Sequence, residues 1–331
     1  MDLSTTYLGL TLTSPLVASA GPLNSSLDNL KLLRDYGAGA VVLPSVFEEQ
    51  ILREQALIDD LVDSGAESFG EAVSYFPVQT GDAFDTARHL DFIGKAAAGL
   101  EIPVIASLNG STASGWVDYA RDMENAGAQA IELNIYFIPS DPTVTGRDVE
   151  QRYVDVVHAV TSAVRIPVSV KIGPHFSSPG NMALRLVEAG AQGLVLFNRF
   201  YQPDIDPMKL TVETSLQLSQ PSEVRLPLLW IGVLAGRIDA SLAATTGVET
   251  SDDVVKYLLA GADVVMTTSS LLRHGPAHMR TLSDGLSDWL GSRGLTSPAD
   301  IRGKLSHGRI ANPESYERAN YIRTLQGYGT K

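Results

Sequence analysis

RLVEAGAQGLVLFN, residues Arg185 to Asn198, is the stretch on which the fold turns. Its first half reads as the end of a helix. Gly190 can adopt the left-handed conformation that stops a helix. GLVLF is then apolar on consecutive residues, as a parallel strand covered on both faces should be. The phrase returns as LLRDYGAGAVVLPS (Leu32–Ser45), RDMENAGAQAIELN (Arg121–Asn134) and YLLAGADVVMTTSS (Tyr257–Ser270). A second phrase interleaves with it: EIPVIASLNG from Glu101, RIPVSVKIG from Arg165 and RLPLLWIGV from Arg225. Repeated supersecondary phrases imply a repeated architecture.

Outward from these phrases, the chain offers strands at Pro15–Ala20, Ala40–Ser45, Pro103–Leu108, Ala130–Ile135, Pro167–Ile172, Gly193–Asn198, Leu228–Gly232 and Asp263–Thr268. Helical stretches such as Trp116–Asn125 and Arg147–Val164 separate them. Evenly spread βα units without a second block of composition favour an α/β fold of the TIM (β/α)8 type over a doubly wound open sheet. The expected organisation is one barrel domain over residues 1–331. Glu48–Asp91 is expected as an insertion after the second strand, placed to act as a lid. Pro203–Glu223 is a second excursion, and the tail carries a helix near Glu314–Leu325.

Composition narrows the function. There is no cysteine, which removes disulfides, thiolate metal sites and cysteine nucleophiles. A formal net charge of −13 disfavours nucleic acid and anionic membranes as partners. The N-terminus lacks the basic and apolar regions of a signal peptide, and no run reaches the roughly 18 apolar residues of a membrane span. The expectation is a cytoplasmic enzyme. None of the six histidines pairs with carboxylates at a metal-ligand spacing, so no metal is expected; His175 alone is kept as a weak site candidate.

In a TIM barrel the chemistry sits at the C-terminal strand ends. There the chain offers Ala20 and Gly21, Ser45, Asn109, Asn134, Lys171, Asn198, Gly232 with Gly236, and Thr268 with Ser269. Lys171 closes the apolar strand VSVKIG, where a cation is costly unless a ligand oxygen or an electron-rich ring meets it. Asn109, Asn134 and Asn198 each bring a donor and an acceptor, and together suit a planar heterocycle with alternating N–H and C=O groups. The Gly232–Gly236 and Thr268–Ser269 stretches read as the two loops that hold phosphate in many barrels.

These features, in this order, resemble the dihydroorotate dehydrogenase family, whose members are FMN-dependent barrels that oxidise dihydroorotate to orotate in pyrimidine biosynthesis. The points of resemblance are the opening LTLTSPLVASAGP, ELN at Glu132–Asn134, VKIGP at Val170–Pro174, the Asn198 strand end and the paired Gly and Thr/Ser loops. The resemblance implies FMN as cofactor. Lys171 would contact the flavin ring and Ser45 the flavin. Asn109 and Asn134 would lie by flavin and substrate, and Asn198 would bind substrate. Gly232–Gly236 and Thr268–Ser269 would hold the phosphate. The family's base, a Cys or Ser after the fourth strand, falls here on Phe137, or on Ile138 with one residue inserted. Pro44 stands where the family often has lysine, and SYFPVQTG (Ser74–Gly81) replaces its substrate loop. The flavin half is therefore expected to be kept and the substrate half changed, with Tyr136 and Ser140 as replacement acid–base candidates alongside Lys171.

Three readings are open. The first is an FMN-dependent dehydrogenase acting on a CH–CH bond of a small molecule, with an altered substrate side. The second is an FMN-binding paralogue without dehydrogenase activity that serves in binding or assembly. The third is a phosphate-binding barrel enzyme of the aldolase or isomerase kind. A homodimer stays open.

Overall fold

The computed structural model describes residues 1–51, 85–110, 116–199, 202–213, 217–317, 321–322 and 325–326. A hairpin of β1 (Thr5–Tyr7) and β2 (Leu10–Leu12) precedes the barrel. Its turn residues Leu8 and Gly9 both have positive φ, 54° and 75°, the requirement of a tight two-residue hairpin turn. The barrel strands are β3 (Leu16–Ala18), β4 (Ala40–Val42), β6 (Val104–Gly110), β7 (Ala130–Ile135), β8 (Val168–Ile172), β9 (Gly193–Leu196), β12 (Ser241–Ala244) and β13 (Val264–Thr267). All pair in parallel, and β4 pairs with both β3 and β6, so the sheet closes. The chain is a closed eight-stranded TIM barrel. Short β5 (Val46–Phe47) runs on from β4 beyond Pro44 and pairs with the upper end of β6.

The recurring Gly-Ala phrase is a helix stop with defined hydrogen bonds. Gly37, Gly127, Gly190 and Gly261 all have positive φ. After each, the alanine N–H returns to a carbonyl five residues back: Ala38 to Leu33, Ala128 to Met123, Ala191 to Leu186 and Ala262 to Tyr257. This is the Schellman closure. The next residue enters the sheet at once. Gln129 and Gln192 each accept, through the side chain, the first N–H of the preceding strand (Val104 and Val168), and Asp263 accepts the N–H of Leu242, the second residue of β12. The prolines of the second phrase serve the sheet by their carbonyls: Pro103 accepts from Val41, and Pro167 from Ile131. A proline at a strand entrance lacks only a donor the ladder does not need there.

Leu228–Gly232 is not a strand. It lies inside the helix Arg225–Leu234, and the seventh strand is β12. RLPLLWIGV looks like its two companions, but Pro227 sits in the first helical turn, where a missing N–H costs nothing. A short run apolar on all sides cannot distinguish a buried helix from a strand. The true strand, SLAA, is short and built of small residues, which gives it little signal in the sequence.

The expected helices are found at Trp116–Asn125 and Gly146–Thr161. The excursion after β9 holds a hairpin, β10 (Asp204–Asp206) with β11 (Thr211–Glu213), then a 3-10 turn at Pro221–Val224. The lid expected in Glu48–Asp91 falls largely on 52–84, outside the described residues. The tail around Glu314 forms a 3-10 turn, Pro313–Tyr316; most of the chain from 318 to 331 is also outside them. Among the described residues, no helix is long and apolar enough to cross a membrane.

Two cores flank the sheet. Ile131, Leu133, Val170 and Ile172 face the outer helices. Val17, Val42, Ile105, Ala130, Val195 and Met266 fill the inside, with Tyr7, Leu8 and Leu12 of the hairpin packed among them as a plug. Leu8 N–H donates to Ser241 Oγ, tying that plug to the start of β12.

Candidate active site

Strand alternation turns every second residue inward, and register aligns those residues in layers. Above the apolar floor of Ile105 and Ala130, the inward positions of β6, β7 and β8 become polar. Ser107, Glu132 and Ser169 form one layer; Asn109, Asn134 and Lys171 form the next, nearer the mouth. All six are buried. Ser45 meets Ser107 at 2.8 Å between hydroxyl oxygens.

Lys171 Nζ lies 3.3 Å from both Ser19 Oγ and Glu132 Oε1. It also lines a cavity at the mouth, with Ser19, Ala20 and Asn198. Asn198 donates its side-chain amide to Asn134 Oδ1 at 2.8 Å. The remaining walls come from Thr245–Val248, after β12, and Thr267–Ser269, where β13 passes into the helix Ser269–His274. Thr246 and Gly247 are successive residues with positive φ, 81° and 77°. A threonine held there is strained, and such strain clusters at ligand sites. Thr268 Oγ1 donates to Ser19 O, and a Cβ on Gly21 would come within 2.5 Å of the Thr268 methyl group. Glycine is thus needed for the close approach of these two loops.

Second-line residues hold the cradle in place. The buried Tyr257 hydroxyl donates to Thr246 O at 2.7 Å; burial, then the nearby Asp253, raises its phenol well above the usual range. Buried Asn24 donates to Ser19 O and Val42 O, fixing the β3 loop to β4. Arg273 and His274 both bind Glu249, so the helix after β13 is tied to the loop after β12. Sequence reasoning missed Asn24, Tyr257 and the Thr245–Val248 cradle. TTG after AA is the available signal, hidden by the misplaced seventh strand.

The expected residues therefore divide into four groups. Ala20, Lys171, Asn198, Thr268 and Ser269 share the mouth cavity, and Gly21, Ser45, Asn109 and Asn134 adjoin it through close contacts and strand register. Gly232 and Gly236 do not belong there. Gly232 lies in a helix against the Tyr316 ring, and Gly236 lines a cavity with Gly261 and Asp263, at the opposite end of the barrel. Tyr136 and Ser140 are outside the cavity lining; Tyr136 is half-buried and Ser140 exposed. Tyr136 lies near enough to act on Tyr153, whose phenol is pushed up to about 12 by burial and then by Tyr136. His175 lines a neighbouring cavity that shares Asn198.

Phe137 packs away into the helix Gly146–Thr161. Its ring lies 5.9 Å from that of Tyr153, with the Arg152 guanidinium 4.5 Å above it, and Phe176 meets Tyr153 edge-on. This side chain is an anchor for the loop after β7, and it carries no group able to take a proton.

The dihydroorotate dehydrogenase family model matches residues 84–290, well over half of the chain. A putative dihydroorotate dehydrogenase A (fumarate) of Aeropyrum pernix is 34% identical over 61% of this chain and 67% of its own. The catalytic subunit of a dihydroorotate dehydrogenase B (NAD(+)) from Thermoplasma acidophilum is 25% identical over 91% and 98%. The NAD-dependent dihydropyrimidine dehydrogenase subunit PreA of Escherichia coli K12 is 23% identical over 97% and 80%. With the closed barrel and its polar mouth, these likenesses make the chain an oxidoreductase of the dihydroorotate dehydrogenase family.

Proposed function

We propose that the chain is an FMN-dependent dehydrogenase acting on a CH–CH bond of a small planar heterocycle, with dihydroorotate itself a poor substrate. The observation that carries this reading is the meeting of Lys171, the Asn134–Asn198 pair and the Thr/Ser/Gly cradle at one barrel mouth. The residues present fit the cofactor. Thr245–Val248 and Thr268–Ser269 suit a phosphate, offering hydroxyls and sharply turned backbone. Lys171 suits the electron-rich edge of the ring system. When bound, FMN supplies an acceptor for the hydride that leaves the substrate carbon.

The other steps fall to the chain. Asn134 keeps its amide donors and Asn198 its carbonyl acceptor after their mutual bond, a paired edge that matches a ring N–H beside a ring C=O. Lys171 offers a fixed cation where negative charge develops, and being buried it acts there with little screening by water. The position after β7 that would hold a base falls on Phe137, turned into an aromatic cluster, or on exposed Ile138, and neither side chain can take a proton. A substrate that needs strong general-base help is therefore disfavoured, which is why dihydroorotate is not assigned as the natural substrate.

The test is FMN uptake. Purified protein incubated with FMN and passed over a desalting column is expected to retain stoichiometric flavin and to quench or shift its fluorescence. Colourless protein that also fails to bind in a titration would overturn the reading.

A further inference from the structure

Glu132 is a fully buried carboxylate inside the barrel. One oxygen is 3.3 Å from Lys171 Nζ; the other has no hydrogen-bond partner among the described residues. From below, the carboxylate faces the Tyr7 phenol of the plug, which burial and then the Glu132 charge raise far above its usual range. Ser107 and Ser169 flank it in the same layer. Lys171 is the one cation among the described residues paired with it.

A charge placed this way is expensive. Burying a carboxylate costs several kcal/mol, and a hydrophobic residue of similar volume is often as stable. Nor is the geometry that of a saturated ion pair: charge-assisted N–H···O bonds usually close to about 2.7–2.9 Å. An ammonium has three N–H bonds. Glu132 and Ser19 take two at 3.3 Å, which leaves one for a ligand at the mouth.

We propose that Glu132 is a positioning residue that sets the effective charge of Lys171, and through it the electron affinity of the bound flavin. The inference rests on the FMN reading above. Glu132 holds the ammonium down at the floor of the mouth, so that less of its positive potential reaches the ring. Flavin that takes up two electrons and one proton carries one more negative charge than oxidised flavin. An unopposed Lys171 therefore favours the reduced form, and Glu132 restrains that preference.

The experiment is a spectroelectrochemical titration of the FMN-loaded protein and its variants at near-neutral pH. Glu132→Gln keeps shape and an acceptor but removes the charge. It is expected to favour reduced over oxidised flavin by about tenfold more than wild type, a rise of about 30 mV for a two-electron couple. Glu132→Asp keeps the charge and is expected to stay nearer the wild-type potential. In Lys171→Met, adding Glu132→Gln is expected to shift the potential much less, because the charge it tunes is gone. A potential for Glu132→Gln that is unchanged or lower, with FMN bound, overturns this inference alone, as does an equal shift with and without Lys171. Should Glu132→Gln fail to fold, a Glu132→Asp potential matching wild type supports the inference, and one displaced as far as that of Lys171→Met overturns it. Wild-type protein that takes up no FMN overturns both this inference and the functional reading.

Discussion

Asn198 donates its side-chain amide to Asn134 Oδ1 across 2.8 Å, joining the ends of β7 and β9 over Lys171 on the strand between them. The bond orients both carboxamides before any ligand arrives. Asn198→Ala removes one ligand contact and frees Asn134 to turn. A typical hydrogen bond contributes about 0.5–1.5 kcal/mol, so orotate or a related planar pyrimidine should bind the flavin-loaded variant roughly three- to tenfold more weakly. Titration followed by the flavin spectrum measures this, and an unchanged affinity would remove Asn198 from the ligand site.

Lys171→Met should cost far more stability than a residue at a wet rim would. It leaves Glu132 buried without its cation, and breaking a buried pair typically costs about 3–5 kcal/mol. The double variant Lys171→Met with Glu132→Gln should regain most of that loss. Urea unfolding of wild type and the two variants reads the difference. Equal stability of the single and double variants would show that the pair is not coupled.

Two glycines separate the observed cradle from the one expected from the sequence. Gly247 has φ 77°, and a Cβ there would lie 2.8 Å from Val224 N, so Gly247→Ala should distort the loop and weaken FMN binding. At Gly232 a Cβ would meet the Tyr316 ring at 2.5 Å, far from the mouth. Gly232→Ala should cost about 1–3 kcal/mol by overpacking yet leave FMN affinity unchanged. Fluorescence titration and thermal melts on both variants check the pair. Loss of FMN in Gly232→Ala alone would return the phosphate to the Gly232–Gly236 stretch.

That contrast also shows how far the residues alone can be read. Four of the helix stops are written into the chain, because a left-handed glycine followed by an immediate apolar strand is a local signal. Lys171 and the asparagines are legible because a polar residue ending an apolar strand has few other reasons to be there. The seventh unit is not. Arg225–Val233 copies the wording of two strand entrances, yet packs as a helix, because tertiary burial outweighs so short a pattern. The phosphate loop expected at Gly232 and Gly236 is displaced with it, since the loop that follows the seventh strand at the mouth is Thr245–Val248. Glu132 stands out in the chain as part of a motif, but its partnership with Lys171 and Tyr7 depends on strand register and on the plug, which only the folded chain displays.

Glu249 ties the two cradle loops and should make them acid-sensitive. Burial pushes its carboxyl up, but hydrogen bonds and charge from His274 and Arg273 outweigh this and hold it below the ordinary value of 4.5. A lowered folded-state value means stability that is complete above 4.5 and lost as pH falls through the folded value. Glu249→Gln should therefore be less stable than wild type near neutral pH, and the gap should narrow at an acidic pH below 4.5. Urea midpoints at both pH values measure this, and a gap that persists or widens in acid would contradict the assignment.

Phe137 offers no base, beside a mouth that the proposed function assigns to FMN. Positioned general bases typically contribute about 10²–10⁴-fold to rate. Ser140 is exposed, and neither it nor half-buried Tyr136 lines the cavity. The most direct measurement is anaerobic stopped-flow reduction of the FMN-loaded protein by dihydroorotate, with dithionite as the control reductant. Dithionite is expected to bleach the flavin promptly, and dihydroorotate to bleach it about 10²–10⁴-fold more slowly than it does in a relative that has the base. Bleaching by dihydroorotate at the relative's own rate would contradict the proposed function.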